Sequence, residues 1–251
     1  PAKTPAPAAP AAEEATTPAP AAAPDLPWYQ RIEVGAFVDA YYSLNVRSIR
    51  PNNGVNLYHP FNPLAGFGLS WAGLDLALAP EPVGGVVQFR LGPSVPYLTL
   101  GDSLIPGGVG NLQNAYVSFR PGGKTGRFTF MLGKFDTLYG AEVAQSQLNM
   151  NYTRGALYNL AQPFFHTGLR ADVTITDTLT ARVLAVNGWN NTLDNNTGKT
   201  FGAQLTFAPS DAFSITGGVL VGPEQPITQT ITCEPGTSFD APSTSCLPSP
   251  G

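Results

Sequence analysis

The chain has 251 residues, of which 43% are hydrophobic and 12% charged, and its net charge is −4 at pH 7. That is about half the ~25% charge of an ordinary soluble domain, yet no stretch approaches the ~20 consecutive apolar residues of a spanning helix, so helical insertion is excluded. The small negative charge leaves no footprint for nucleic acid.

Residues 1–27 form a Pro/Ala tract with almost no branched apolar side chain. Such a segment cannot bury a core and is expected to be a disordered, extended spacer. A plain tail is the alternative to any anchoring role in the cell wall. No signal peptide precedes it, which leads us to expect a processed or trimmed N-terminus.

From Trp28 the composition changes and patterned strands begin. About nine are expected, at 31–42, 67–79, 83–91, 112–120, 127–136, 166–176, 179–188, 199–208 and 213–221. The clearest is His166-Thr167-Gly168-Leu169-Arg170-Ala171-Asp172-Val173-Thr174-Ile175, where the apolar side chains take odd positions and His166, Arg170, Asp172 and Thr174 take even ones. A strand turns successive side chains to opposite faces, so this segment has one apolar face and one charged face. Parity slips between Trp71 and Leu74 and again near Gly133, which reads as two β-bulges.

The links alternate. Pro80-Glu81-Pro82, the Pro121-Gly122-Gly123 region, Asp177-Thr178 and Pro209-Ser210-Asp211 are tight and carry turn chemistry. Segments 43–66, 92–111, 137–165 and 189–198 are long. Alternating short and long links mark an all-β, antiparallel up-and-down transmembrane β-barrel, with tight turns in the periplasm and long loops outside. The first strand then starts in the periplasm, where the N-terminal spacer also lies. Aromatics fit this scheme: Trp28, Tyr29, Phe119, Phe128, Phe207 and Phe213 fall at one rim, and Tyr42, Phe67 and Phe201 at the other.

These residues also carry a family resemblance. Phe37-Val38-Asp39-Ala40-Tyr41-Tyr42-Ser43-Leu44-Asn45 resembles the opening strand of the OmpL-like β-barrel porins. Leu132-Gly133-Lys134-Phe135-Asp136-Thr137-Leu138-Tyr139-Gly140-Ala141-Glu142 resembles their central segment. Pro163-Phe164-Phe165-His166-Thr167-Gly168-Leu169-Arg170 and Ala185-Val186-Asn187-Gly188-Trp189-Asn190 are similar to later strands. The motifs are short, and the match runs from Arg31 to Gly222. The resemblance implies an outer-membrane barrel for passive solute passage, with no catalytic residues.

Parity assigns the pore-lining candidates. Glu33, Asp39, Gln88, Arg90, Arg120, Lys134, Asp136, Arg170, Asp172 and Arg182 occupy polar faces. A midplane Arg or Lys in lipid costs roughly 2–4 kcal/mol, so these side chains are expected to face a lumen lined by both signs of charge. Equally, Arg170, Asp172 and Arg182 can pair across strands and stiffen the wall. The loop 137–165 is the longest, has a helix-compatible stretch near 142–148, and is a candidate to fold inward and narrow the pore.

Other chemistry is sparse. The two histidines, His59 and His166, give no metal cluster. Gly123-Lys124-Thr125 and Gly198-Lys199-Thr200 resemble phosphate loops, but Ser118 and Leu193 stand where the first glycine is required. Asp194-Asn195-Asn196-Thr197-Gly198 is a partial calcium-loop pattern that reads better as a solvated turn. No cofactor and no enzymatic site is expected.

Residues 223–251 read as an extracellular loop in which Cys233 and Cys246 form a disulfide, isolated thiols being the alternative. Bacterial single-chain barrels carry an even number of strands, so nine strands with a periplasmic start suggest the N-terminal part of a larger barrel. The rival is a tenth strand at 227–233 closing a small, plugged barrel. The expected function is an outer-membrane porin passing small hydrophilic solutes, with outer-membrane lipid as surroundings and homo-oligomerisation open. The alternative is a plugged structural or adhesin-type barrel that binds partners through its external loops.

Overall fold

The computed structural model describes residues 27–44, 66–99, 102 and 109–224, together with the backbone of 237–240 and 245–248. A short 3-10 turn at Trp28–Arg31 leads into β1 (Glu33–Ser43), β2 (Gly66–Leu78), β3 (Val83–Leu91), β4 (Leu112–Phe119) and β5 (Phe128–Asp136). Then follow β6 (Phe165–Thr176), β7 (Leu179–Val186), β8 (Thr200–Ser210) and β9 (Phe213–Val221). These strands form one antiparallel sheet in chain order from β1 to β9, the up-and-down arrangement expected from the alternation of links. Two short helices, α1 (Val95–Thr99) and α2 (Ala156–Ala161), sit in the β3–β4 and β5–β6 connections.

Among the described residues no helix is long and apolar enough to cross a membrane. The strands of the sheet run from 8 to 13 residues, against the ~9–11 that a tilted spanning strand needs. The C-terminal segment holds β10 (Thr237–Asp240) and β11 (Ser245–Pro248), which pair in a separate hairpin. At four residues each, they are too short to span. The rival tenth strand at 227–233 and Cys233 lie outside the described residues.

Register converts alternation into two chemically distinct faces. Thr129, Asp172, Arg182 and Gln204 lie opposite one another in sequence across β5 to β8. On the other face Leu132, Leu169, Ala185, Phe201 and Val221 form a continuous row across β5 to β9. That second face is exposed almost everywhere: Val38 is 73% exposed and Phe67 91%, and Val117, Leu132, Val183, Phe201 and Ile215 are open too. A contiguous apolar surface of this extent has no place in water and marks contact with a membrane.

Two irregularities place pairs of neighbours on one side. On β2 the register shifts between the partners of Asp39 and Ala40, leaving Ser70 as the extra residue, and Ser70 and Trp71 are both buried. This bulge lies just ahead of the parity slip at 71–74. A second shift, opposite Gln88 and Phe89, leaves Gln113 extra on β4, and Gln113 and Asn114 are both buried.

The slip at Gly133 is not a bulge. Its register with both β4 and β6 is unbroken. Instead Gly133 has φ +137° and faces Gly168, with φ +155°. Backbone in this region is open to glycine and strained for other residues, and beyond it Lys134 and Phe135 are both buried.

Candidate functional site

The non-membrane face of the sheet carries the charged side chains, and two loops cover part of it. On its β1–β4 side Arg90 is 1% exposed. It bonds Asp75 through Nη1 and donates from Nε to Gln113 Oε1 at 2.6 Å. Its guanidinium lies 5.0 Å from the Phe37 ring centroid and 5.6 Å from that of Trp71, where the aromatic faces favour a partly desolvated cation.

Gln88 accepts from Asn114 Nδ2 at 2.6 Å, and Asp136 accepts from Gln113 Nε2 and Asn114 Nδ2, each at 2.9 Å. The β4 bulge makes this convergence feasible, because it aims two consecutive amides at one carboxylate. Lys134 pairs with Asp102 at 2.6 Å, with side chains only 5% and 3% exposed. Its Nζ also lies 4.1 Å from the Phe165 ring centroid, and Asp102 accepts in addition from Thr192 Oγ1.

On the β4–β8 side Arg120 donates from Nε to Thr129 Oγ1 at 2.9 Å. Arg170 grips Asp172 with two bonds of 2.7 and 2.6 Å. Arg182 lies 3.5 Å from the same carboxylate and donates to Gln204 Oε1 at 2.8 Å and Thr206 Oγ1 at 3.2 Å. Of these contacts the Arg170–Asp172 pair runs along β6, and only the one between Asp172 and Arg182 of β7 crosses strands. Glu33 stands apart, exposed at the start of β1. His166 is fully buried, between Thr137 Oγ1 at 3.1 Å and the Gly188 carbonyl at 3.0 Å.

The β5–β6 connection reaches both ends of the sheet. Asp39 on β1 accepts from Tyr152 at 2.6 Å and from Ser146. Near the other end Tyr139 donates to the Val219 carbonyl of β9 at 2.8 Å, and Gln204 of β8 donates to the Leu138 carbonyl. One connection thus bridges β1 and the β8–β9 end of the same sheet. The loop is seated by a cluster of Trp71, Leu98, Ala144 and Tyr158, with Phe37 and Phe164 against it.

Helical structure in this loop falls later than expected: 142–148 contains only a 3-10 turn at Ser146–Leu148, and the α-helix is Ala156–Ala161. Burial in the loop raises the Tyr158 phenol well above its ordinary range and lowers the Arg154 guanidinium, so Tyr158 stays neutral. Where both loops meet the sheet, a cavity of about 20 Å³ remains, lined by Arg90, Leu98, Gln113, Lys134, Asp136 and Phe165 among others. It has room for about one water.

Sequence reasoning missed Asp75, Asp102, Ser146 and Tyr152. Asp75 faces Gly35 and Gln88 in register, and parity counted from the β2 bulge would have found it. Nothing local marks the others. No curated relative matches the chain. The family model described as putative beta-barrel porin-2, OmpL-like, matches residues 31–241. That span is most of the chain, and it takes in every strand of the sheet: the protein belongs to this family of outer-membrane β-barrel porins.

Proposed function

We propose that the protein is a channel for passive diffusion of small hydrophilic solutes across the outer membrane, with the charged face lining a water-filled lumen and the apolar face against lipid. On this reading Glu33, Asp39, Gln88, Arg90, Arg120, Lys134, Asp136, Arg170, Asp172 and Arg182 line the lumen. The tight turns and the N-terminus lie in the periplasm. The observation that carries it is the pair of parallel rows, Thr129 to Gln204 on one face and Leu132 to Val221 on the other. Charged side chains cluster on the first and are missing from the second, the partition that lipid on one side and water on the other demand. Because many of these charges are already paired within the wall, small neutral solutes are sorted by size.

The loop seated on Trp71 supports a second reading, a plugged barrel that presents its external loops to partners. Swelling of liposomes containing the protein separates the two. Entry of the smallest sugars with exclusion of larger ones supports the channel, and no swelling with any solute supports the plugged barrel.

A further inference from the structure

We infer that the charged wall of β4 to β7 holds a binding site for a solute oxyanion, a carboxylate or phosphate, built from Arg120, Arg170 and Arg182. The inference rests on the reading of this face as a lumen wall.

Two guanidinium groups here pair with one carboxylate, and a third is held on the neighbouring strand. Asp172 pairs with Arg170 beside it on β6 and with Arg182 on β7, and its cross-strand neighbour on β5 is Thr129, the residue that holds Arg120. Arginine stays charged at every relevant pH, so the cluster keeps a positive excess that Asp172 cannot cancel. Gln204 and Thr206, which complete the surroundings of Arg182, are neutral.

Arg120 and Arg170 are each fixed by one edge of the guanidinium, and Arg182 by Nη1 with its Nε turned to Asp172. Arg120 uses Nε toward Thr129, Arg170 uses Nε and Nη2 toward Asp172, and Arg182 uses Nη1 toward Gln204 and Thr206. Among the described residues, Arg120 Nη1 and Nη2, Arg170 Nη1 and Arg182 Nη2 have no hydrogen-bond acceptor, while Arg182 Nε is buried and faces Asp172 at 3.5 Å. The Arg170 side chain is 15% exposed and that of Arg182 28%. The free edges are thus sheltered yet reachable.

Anchored, planar donors with an unused fork are the arrangement that recognises carboxylate and phosphate oxygens two at a time. Little side-chain entropy remains to be lost on binding. The contrast with Arg90 is instructive: there the charge is matched by Asp75, the side chain is 1% exposed and two aromatic rings cover it.

Calorimetric titration of the full chain in lipid nanodiscs with inorganic phosphate and with succinate tests the site. The wild-type protein should bind at least one of them. Arg120→Gln and Arg182→Gln should each weaken binding about tenfold, the effect of losing one charge-assisted contact. Asp172→Asn, which deletes the carboxylate that pairs with Arg170 and Arg182 at nearly constant shape, should tighten it. A purely structural role for Asp172 predicts no tightening.

No binding of either anion by folded wild-type protein, or equal binding by wild type and all three variants, overturns the site. The channel reading is separated by reversal potentials in a salt gradient. Binding without current removes the channel and leaves the site. A current whose anion preference is unmoved by Arg120→Gln removes the site and leaves the channel.

Discussion

Tyr152, in the connection between β5 and β6, donates its phenolic hydrogen to Asp39 on β1 at 2.6 Å, across 113 positions of chain. The other carboxylate oxygen of Asp39 accepts from Ser146. One buried side chain thus holds a long loop against the first strand of the sheet.

Replacing Asp39 by Ala should release that loop. Two hydroxyls lose a charged acceptor, at about 1.5–3 kcal/mol for the bond to a charged group, while the apolar seat on Trp71 and Tyr158 remains. Hydrogen exchange should quicken over residues 143–155 and stay unchanged in β4 to β9. Equal protection in both proteins would show that the apolar seat alone holds the loop.

Gly133 and Gly168 face each other with positive φ, and each approaches the backbone of its outer neighbour closely. A Cβ on Gly133 would stand 2.3 Å from the Ala115 carbonyl oxygen, and one on Gly168 would stand 2.3 Å from that of Ala185. Gly133→Ala and Gly168→Ala should each destabilise the barrel by about 1–3 kcal/mol from backbone strain alone, with the clash in addition. Gly217 in β9 has open space at the same test, so Gly217→Ala should be neutral or slightly stabilising. The temperature at which the folded band is lost on heated gels measures all three.

Asp102 and Lys134 are a buried pair, and removing one partner leaves the other uncompensated. Asp102→Ala should cost roughly 3–5 kcal/mol, whereas the double change Asp102→Leu with Lys134→Met should recover most of it. Denaturant unfolding from detergent checks this. A single change as mild as the double one would mean that Lys134 reaches water when Asp102 is gone.

A Cys233–Cys246 disulfide is expected in the C-terminal segment, where Cys246 stands opposite Phe239 in the β10–β11 hairpin. Closing so short a loop stabilises locally by about 3 kcal/mol in the chain-entropy model. Mass spectrometry of protein folded under oxidising conditions should find the linked peptides; two free thiols would contradict the pairing.

Much of the sheet was legible because strand alternation is a local signal. Val83–Leu91 and Phe213–Val221 end where alternation ends, whereas the two-residue turn alone would set Asp172 opposite Val183, and its pairing with Arg182 needs the register shift that leaves Ile175 extra on β6. What alternation cannot carry is the destination of a loop. Asp102 meets Lys134 through a connection whose own pattern is featureless, and Asp39 meets Tyr152 across 113 positions of chain, a contact that no local pattern encodes. Gly133 shows the intermediate case: the break in pattern was visible, but a bulge and a positive φ produce the same break, and only the register tells them apart.

Planar-bilayer recording of the purified full chain, beside the Asp39→Ala variant, tests the central claim most directly. A lumen narrowed by the β5–β6 loop predicts discrete, stable current steps for the wild-type protein and larger steps once Asp39 no longer holds the loop. Silence from both proteins, with folded barrel demonstrably inserted, would contradict the channel and leave the plugged barrel in its place.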